Sequence, residues 1–308
     1  MGPFLTALLP VVALVALGRF LAWRQALPEA GWRGVERLSY LVLFPALVVR
    51  ELARAPFDGA PLRMAGVLIG AQLVMGLAGW AAHRAGLVSG PASGSLIQSN
   101  VRWNTFIGLA LAGALMGAEG VALVALAAAA LTPTANVISV FALSHYAARG
   151  VDAPRPRPFA ELARNPLILA CALGLGLNMA GLAPSGPVDA TLALMGQCTI
   201  ALGLLTAGAG VDLSALRAAG VRTGVWSVFR LLAFPAVAVG AALGLGLPAR
   251  EVGVIAIATA TPTATSGYVL ARQLGGDLPF TANLIALQTV LAVLTLPLVW
   301  WVVQGILG

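Results

Sequence analysis

Two knots of polar residues sit inside otherwise apolar stretches of this chain. The first gathers Gln98, Ser99, Asn100, Arg102, Asn104 and Thr105 in QSNVRWNTFIG at 98–108, and the second gathers Thr259, Thr261, Pro262, Thr263, Thr265 and Ser266 in ATATPTATSGY at 258–268. Amides, hydroxyls and a guanidinium are hydrogen-bonding groups without strong nucleophilic or redox chemistry, so the pattern suits binding more than catalysis. A planar guanidinium with several donors fits a carboxylate in two parallel hydrogen bonds. Pro262 removes a backbone donor and crowds the preceding turn, and Gly267 lowers the cost of irregular dihedrals, so a break is expected in the helix that holds them. Freed backbone groups and the positive end of a half-helix then favour an anion.

The elements that position these residues must cross a bilayer. Of 308 residues, 59% are hydrophobic and 9% charged, whereas a water-soluble domain carries roughly 25% charged residues. Apolar runs fall at 3–23, 35–53, 62–83, 93–116, 120–147, 163–182, 188–210, 221–246, 251–274 and 279–306, which predicts ten spans with short connections. The first run lacks a basic leader and is longer than a signal-peptide core, so it reads as a retained helix. Both knots lie inside such runs, the fourth and the ninth. A mid-membrane arginine costs about 2.5–3.5 kcal/mol on insertion scales, which implies a partner or ligand for Arg102. All 11 acidic residues fall at span ends or in connections, so the counter-charge is expected from a substrate carboxylate. Asn136 and Gln288, in the runs that follow the two knots, are further candidates. Gln72, Asn178, Gln197, Thr199, Arg230 and Thr289 read as interhelical hydrogen-bond glue.

Arginine placement sets orientation. All 18 basic residues are Arg, and they concentrate in the odd-numbered connections, which makes those cytoplasmic and leaves both termini outside. The stretch 148–164, with ArgProArgPro at 155–158, reads as a cytoplasmic linker between a first five-helix repeat, 1–147, and a second, 165–308. Pro10–Gly18 (PVVALVALG) is similar to Pro166–Gly174 (PLILACALG), and Gly108–Gly117 (GLALAGALMG) to Gly267–Gly276 (GYVLARQLGG), in the same order and at nearly constant offset. Five is odd, so the second repeat enters the membrane inverted. The fold class expected is therefore all-α, with ten transmembrane helices in two inverted five-helix repeats.

Several function classes are excluded. The arginines are scattered and not interleaved with aromatics on one face, which excludes nucleic acid as a partner. Cys171 and Cys198 lack metal-ligand spacing, so neither metal nor cofactor is expected. The only histidines, His83 and His145, lie near span ends and no GxSxG segment occurs, which argues against a hydrolase and against an enzyme generally.

The segments NTFIGLALAGALMG at 104–117, NPLILACALGLGLN at 165–178, GQCTIALGLLTAGAGVDL at 196–213 and YVLARQLGGD at 268–277 resemble the auxin efflux carrier family. Bacterial members are described as malonate or malate permeases. The resemblance covers nearly the whole chain. It implies ten helices in two inverted repeats, with helices four and nine broken and crossing, and a pocket beside the crossover. Its Asn falls on Asn104, its Gly on Gly108 and its ninth-helix Pro on Pro262. Where many members carry Pro two residues after that Gly, this chain has Ala110, and the second crossover Pro of plant exporters falls on Gly267. The long central loop of plant exporters is missing.

The expectation is a secondary transporter of small organic anions in the inner (plasma) membrane, working by alternating access. Its substrate-binding residues would be Arg102, Asn104, Thr105, Asn136, Thr263, Thr265 and Gln288, with Gly108, Pro262 and Gly267 shaping the breaks. Its partners would be a small carboxylate, the lipid bilayer and, as an option, a second copy in a homodimer. A bile-acid-type sodium symporter of similar architecture and a non-transporting membrane sensor are the alternatives. The lack of mid-span Asp or Glu counts against the symporter, since sodium sites commonly use carboxylates.

Overall fold

The computed structural model describes residues 2–55, 61–147 and 165–308, so the expected linker at 148–164 lies outside the described residues. Among these residues the regular structure is all helical, with no strand. The helices are α1 (Gly2–Trp23), α2 (Glu29–Leu38), α3 (Phe44–Arg54), α4 (Pro61–Arg84), α5 (Pro91–Val101), α6 (Thr105–Tyr146), α7 (Pro166–Met179), α8 (Gly186–Ala209), α9 (Leu213–Ala218), α10 (Val221–Gly244), α11 (Ala249–Ala260), α12 (Ser266–Gln273) and α13 (Leu278–Leu307).

Six stretches among the described residues are long and apolar enough to cross a membrane: Phe4–Trp23, Leu62–Arg84, Pro91–Tyr146, Gly186–Ala209, Val221–Gly244 and Leu278–Leu307. The stretch Pro91–Tyr146 holds two of the expected runs. The remaining runs are built from shorter helices. At 35–53 a π-helical turn, Ser39–Leu43, joins α2 to α3, and the Phe44 N–H reaches five residues back to the Ser39 carbonyl. Pro45 explains the shift, because it has no N–H for the carbonyl four residues earlier and the ladder must skip a residue. At 251–274 the run is divided between α11 and α12.

Two compact units emerge. The first comprises Met1–Pro61, Thr105–Ala129 and Phe159–Gly210, and the second Leu62–Asn104, Ala130–Pro158 and Val211–Gly308. In the first, α1 packs on α8 and α3 on α7. The α1–α8 crossing is set by reciprocal glycines: a methyl on Gly18 would overlap the Leu205 carbonyl, and one on Gly208 the Val15 carbonyl. Small residues allow this backbone-to-backbone approach, where dispersion replaces the missing hydrophobic drive in lipid. At the end of α3, Arg50 binds Asp189 at 2.7 Å and Glu51 at 2.6 Å, and Arg54 binds Asp189 at 3.2 Å. In the second unit α10 packs on α11 and α13, and α13 also contacts α5 and α11.

Local geometry recurs along the chain. Helix α4 ends with Gly86 N–H on His83 O and Leu87 N–H on Ala82 O, and α10 ends with Gly246 N–H on Leu243 O and Leu247 N–H on Ala242 O, 160 residues later. The ends of α1 and α7 match in the same way at an offset of 156, with Gln25 and Gly181 both at positive φ (54° and 68°). Each compact unit also draws elements from both sides of the linker.

Candidate functional site

The second unit holds the second polar knot and all of the first except Thr105, and each knot contains a helix break. Helix α5 is buried throughout Ala92–Val101, and α11 throughout Glu251–Ala260. Over these residues both helices thus face protein on every side. After Val101 the backbone turns extended at Arg102 (ψ 152°), and α6 starts only at Thr105. After Ala260 it turns extended at Thr261 (ψ 150°), and α12 starts at Ser266.

The two breaks have different causes. Pro262 has no N–H for the Ala258 carbonyl and pushes Thr261 out of helical ψ, so the second break is written in the local sequence. The Thr261 hydroxyl then donates to Ala258 O at 2.8 Å. No proline stands in the first break. There the Asn104 N–H leaves its own helix ladder and binds Thr261 Oγ1 at 3.1 Å. One break therefore captures the other, through a hydroxyl that donates on one side and accepts on the other.

Around this junction the side chains form a connected network. Arg102, 9% exposed, donates from Nη2 to Asn136 Oδ1 at 2.8 Å and from Nη1 to Ser266 Oγ at 3.3 Å. Gln288, fully buried, accepts the Thr263 N–H at 3.0 Å and donates to Ser99 Oγ at 2.9 Å, which ties α13 to both broken segments. Gln98 Nε2 donates to the Gly267 carbonyl at 3.0 Å. The structure thus brings together Arg102, Asn104, Asn136, Pro262, Thr263 and Gln288. Thr105 opens α6 and is half-buried. Thr265 opens the turn into α12, its carbonyl accepting the Tyr268 N–H at 3.0 Å.

Two glycines expected at the breaks lie elsewhere. Gly108 is buried inside α6, downstream of the break at 102–104. Gly267 is helical in α12, where a Cβ would make ordinary van der Waals contact, 3.4 Å from Arg102 Cδ and 3.5 Å from Gln98. The irregular glycine of this region is Gly117, where φ 65° and ψ −151° interrupt α6. Two carboxylates are buried, Glu51 and Glu251, at 7% and 5% exposed. Both stand near helix ends, where Arg50 meets Glu51 and the first turn of α11 holds Glu251. Several threonines bond back into their own helices as membrane threonines do, Thr259 on Ile255 O and Thr289 on Ile285 O among them.

Arg230, read from the sequence as interhelical hydrogen-bond glue, links the ends of two helices. It is 0% exposed and donates from its two terminal nitrogens to Thr259 O and Arg102 O, each at 2.7 Å. Gln72 serves the other half: its Nε2 donates to Val101 O at 2.8 Å and Leu131 O at 3.0 Å. Gln72 and Arg230, like Val101 and Thr259, stand 158 residues apart, between the offsets of 156 and 159 of the similar segments. The signal was present in the sequence, because Arg230 is centred in the apolar run WSVFRLLAFP.

Comparison with curated protein sequences gives no match. A family model described as membrane transport protein matches residues 158–300, a region that includes Arg230, the second break and Gln288. With multiple apolar helices long enough to span a bilayer, and two broken helices joined at buried polar groups, this is a multi-pass membrane protein that over residues 158–300 is similar to the membrane transport protein family, that of the auxin efflux carriers.

Proposed function

We propose that this transporter is a secondary carrier of small organic anions, dicarboxylates such as malonate or malate among them, working by alternating access in the inner membrane with both termini outside. Its working parts are a small carboxylate, the bilayer and two inverted five-helix repeats, 1–147 and 165–308, joined by the linker 148–164; pairing into a homodimer is compatible with this plan. The recurring helix ends and the matched positions of Gln72 and Arg230 support the repeat.

The observation that carries the reading is a guanidinium at a helix break, held by the neutral oxygens of Asn136 and of Ser266, the first residue of α12. Arg102 and the amino-terminal end of α12, roughly half a positive charge, then act on the same small volume. A substrate carboxylate can exchange with the two neutral acceptors and take a stronger, charge-assisted pair. Asn104 and Thr263 lie beside it as donors, Thr105 and Thr265 stand at the starts of the half-helices, and Gln288 and Asn136 hold the arrangement. The unit that contains both breaks rocks as a body and carries the anion across.

The test is counterflow of labelled malonate in proteoliposomes containing only this protein. Arg102→Gln should reduce flux at least about tenfold, equivalent to about 1.4 kcal/mol or more of lost binding, and Arg102→Lys should keep part of it because the charge remains. Full flux in Arg102→Gln would remove the anion reading. A wild-type protein that moves none of a panel of carboxylates would favour a sensor.

A further inference from the structure

The donors that serve the two broken helices differ in charge, although their positions correspond. Gln72 meets the end carbonyl of α5, Val101 O, and a carbonyl well inside α6, Leu131 O. Arg230 meets two helix ends at once: Arg102 O, just past the last turn of α5, and Thr259 O, in the last turn of α11. A helix terminus leaves its final carbonyls without intrahelical donors and carries about half a negative charge. Two such ends converging in a buried place sum to about one negative charge, which a neutral amide cannot balance and a guanidinium can. Hydrogen bonding alone does not call for arginine here, since Gln72 shows that an amide can bridge two carbonyls in this environment. The Arg230 Cζ also lies over the Phe234 ring, 4.8 Å from its centroid, a cation–π contact that favours the charged side chain.

We propose that Arg230 is a positioning residue whose charge, and not only its hydrogen bonds, joins the carboxyl ends of α5 and α11 and cancels their negative poles. The anion at Arg102 would otherwise sit next to those poles and be repelled by them. Arg230 thereby sets the sign of ion that the crossover accepts without touching it. This rests on the anion-carrier reading for its functional consequence, whereas the joining of the helix ends does not.

The experiment compares Arg230→Lys, which keeps the charge, with Arg230→Gln, which keeps donors of the kind Gln72 provides. Both are purified in detergent, melted without ligand, and assayed for labelled-malonate counterflow in proteoliposomes. The expected result is that Arg230→Lys melts several degrees above Arg230→Gln and holds its malonate KM within about threefold of wild type, while Arg230→Gln raises KM about tenfold. Equal melting and equal KM for the two variants would overturn the proposal, and so would a Lys variant as badly folded as the Gln variant, since lysine retains the charge. Should wild type move none of the panel of carboxylates, the anion-carrier reading fails. The melting order alone then decides the latch, which a Gln variant at least as stable as the Lys variant overturns.

Discussion

Replacing Gln288 with leucine should loosen the second helix break by an amount that can be worked out from its two bonds. The side chain is fully buried, and it accepts the Thr263 N–H at 3.0 Å and donates to Ser99 Oγ at 2.9 Å. Because a backbone N–H can only donate, the amide orientation is fixed by chemistry. Leucine has similar bulk, so little cavity is created and the cost falls on the polar groups. Ser99 can turn its hydroxyl to another acceptor. The Thr263 amide cannot, since Pro262 has already ended the ladder and the segment around it is extended. Leaving such a group buried without a partner costs about 1–3 kcal/mol, so a local loss of about 2 kcal/mol is expected. At 1.4 kcal/mol per tenfold, the opening equilibrium around 261–265 should rise roughly thirtyfold. Hydrogen–deuterium exchange of the peptide spanning that segment, in nanodiscs, reads this directly, with peptides from α1 and α8 as an unaffected control. Gln288→Glu keeps an acceptor for Thr263 and should accelerate exchange far less. Acceleration below about threefold in Gln288→Leu would refute the reasoning, since it would mean that the break is held without this bond.

Two further outcomes follow from the packing. Gly18→Ala should lower the melting temperature by several degrees, because the new methyl overlaps the Leu205 carbonyl and overpacking costs about 1–3 kcal/mol; adding Gly208→Ala should cost less than a second full increment, since one helix shift relieves both clashes. Pro262→Ala should retain a substantial part of malonate counterflow at unchanged expression, because the first break persists without a proline and the bonds of Thr261 and Thr263 still hold the second; complete loss would show that proline, and not the network, keeps the helix open.

Composition and hydropathy alone make this chain a helical membrane protein, because at 59% hydrophobic and 9% charged its apolar runs have the length of spanning helices, about 20 residues, and not the length of barrel strands. The second break was legible too, since Pro262 acts through its own covalent structure on the residues immediately before it. Arg102 could be singled out because a guanidinium in an apolar run is costly wherever the chain goes. The first break was not determined in that way. With no proline at 102–104, nothing local ends α5; the end comes from a threonine 157 residues away that takes the Asn104 N–H. Arg230 likewise looked like one more polar residue until folding brought two helix ends to it. Gly267 read as a conformational requirement and proved helical, with room for a Cβ beside Gln98 and Arg102. Covalent constraints and transfer costs belong to single residues and survive in the sequence, while the pairing of a freed donor with its acceptor depends on which segments meet, and only the tertiary structure decides that.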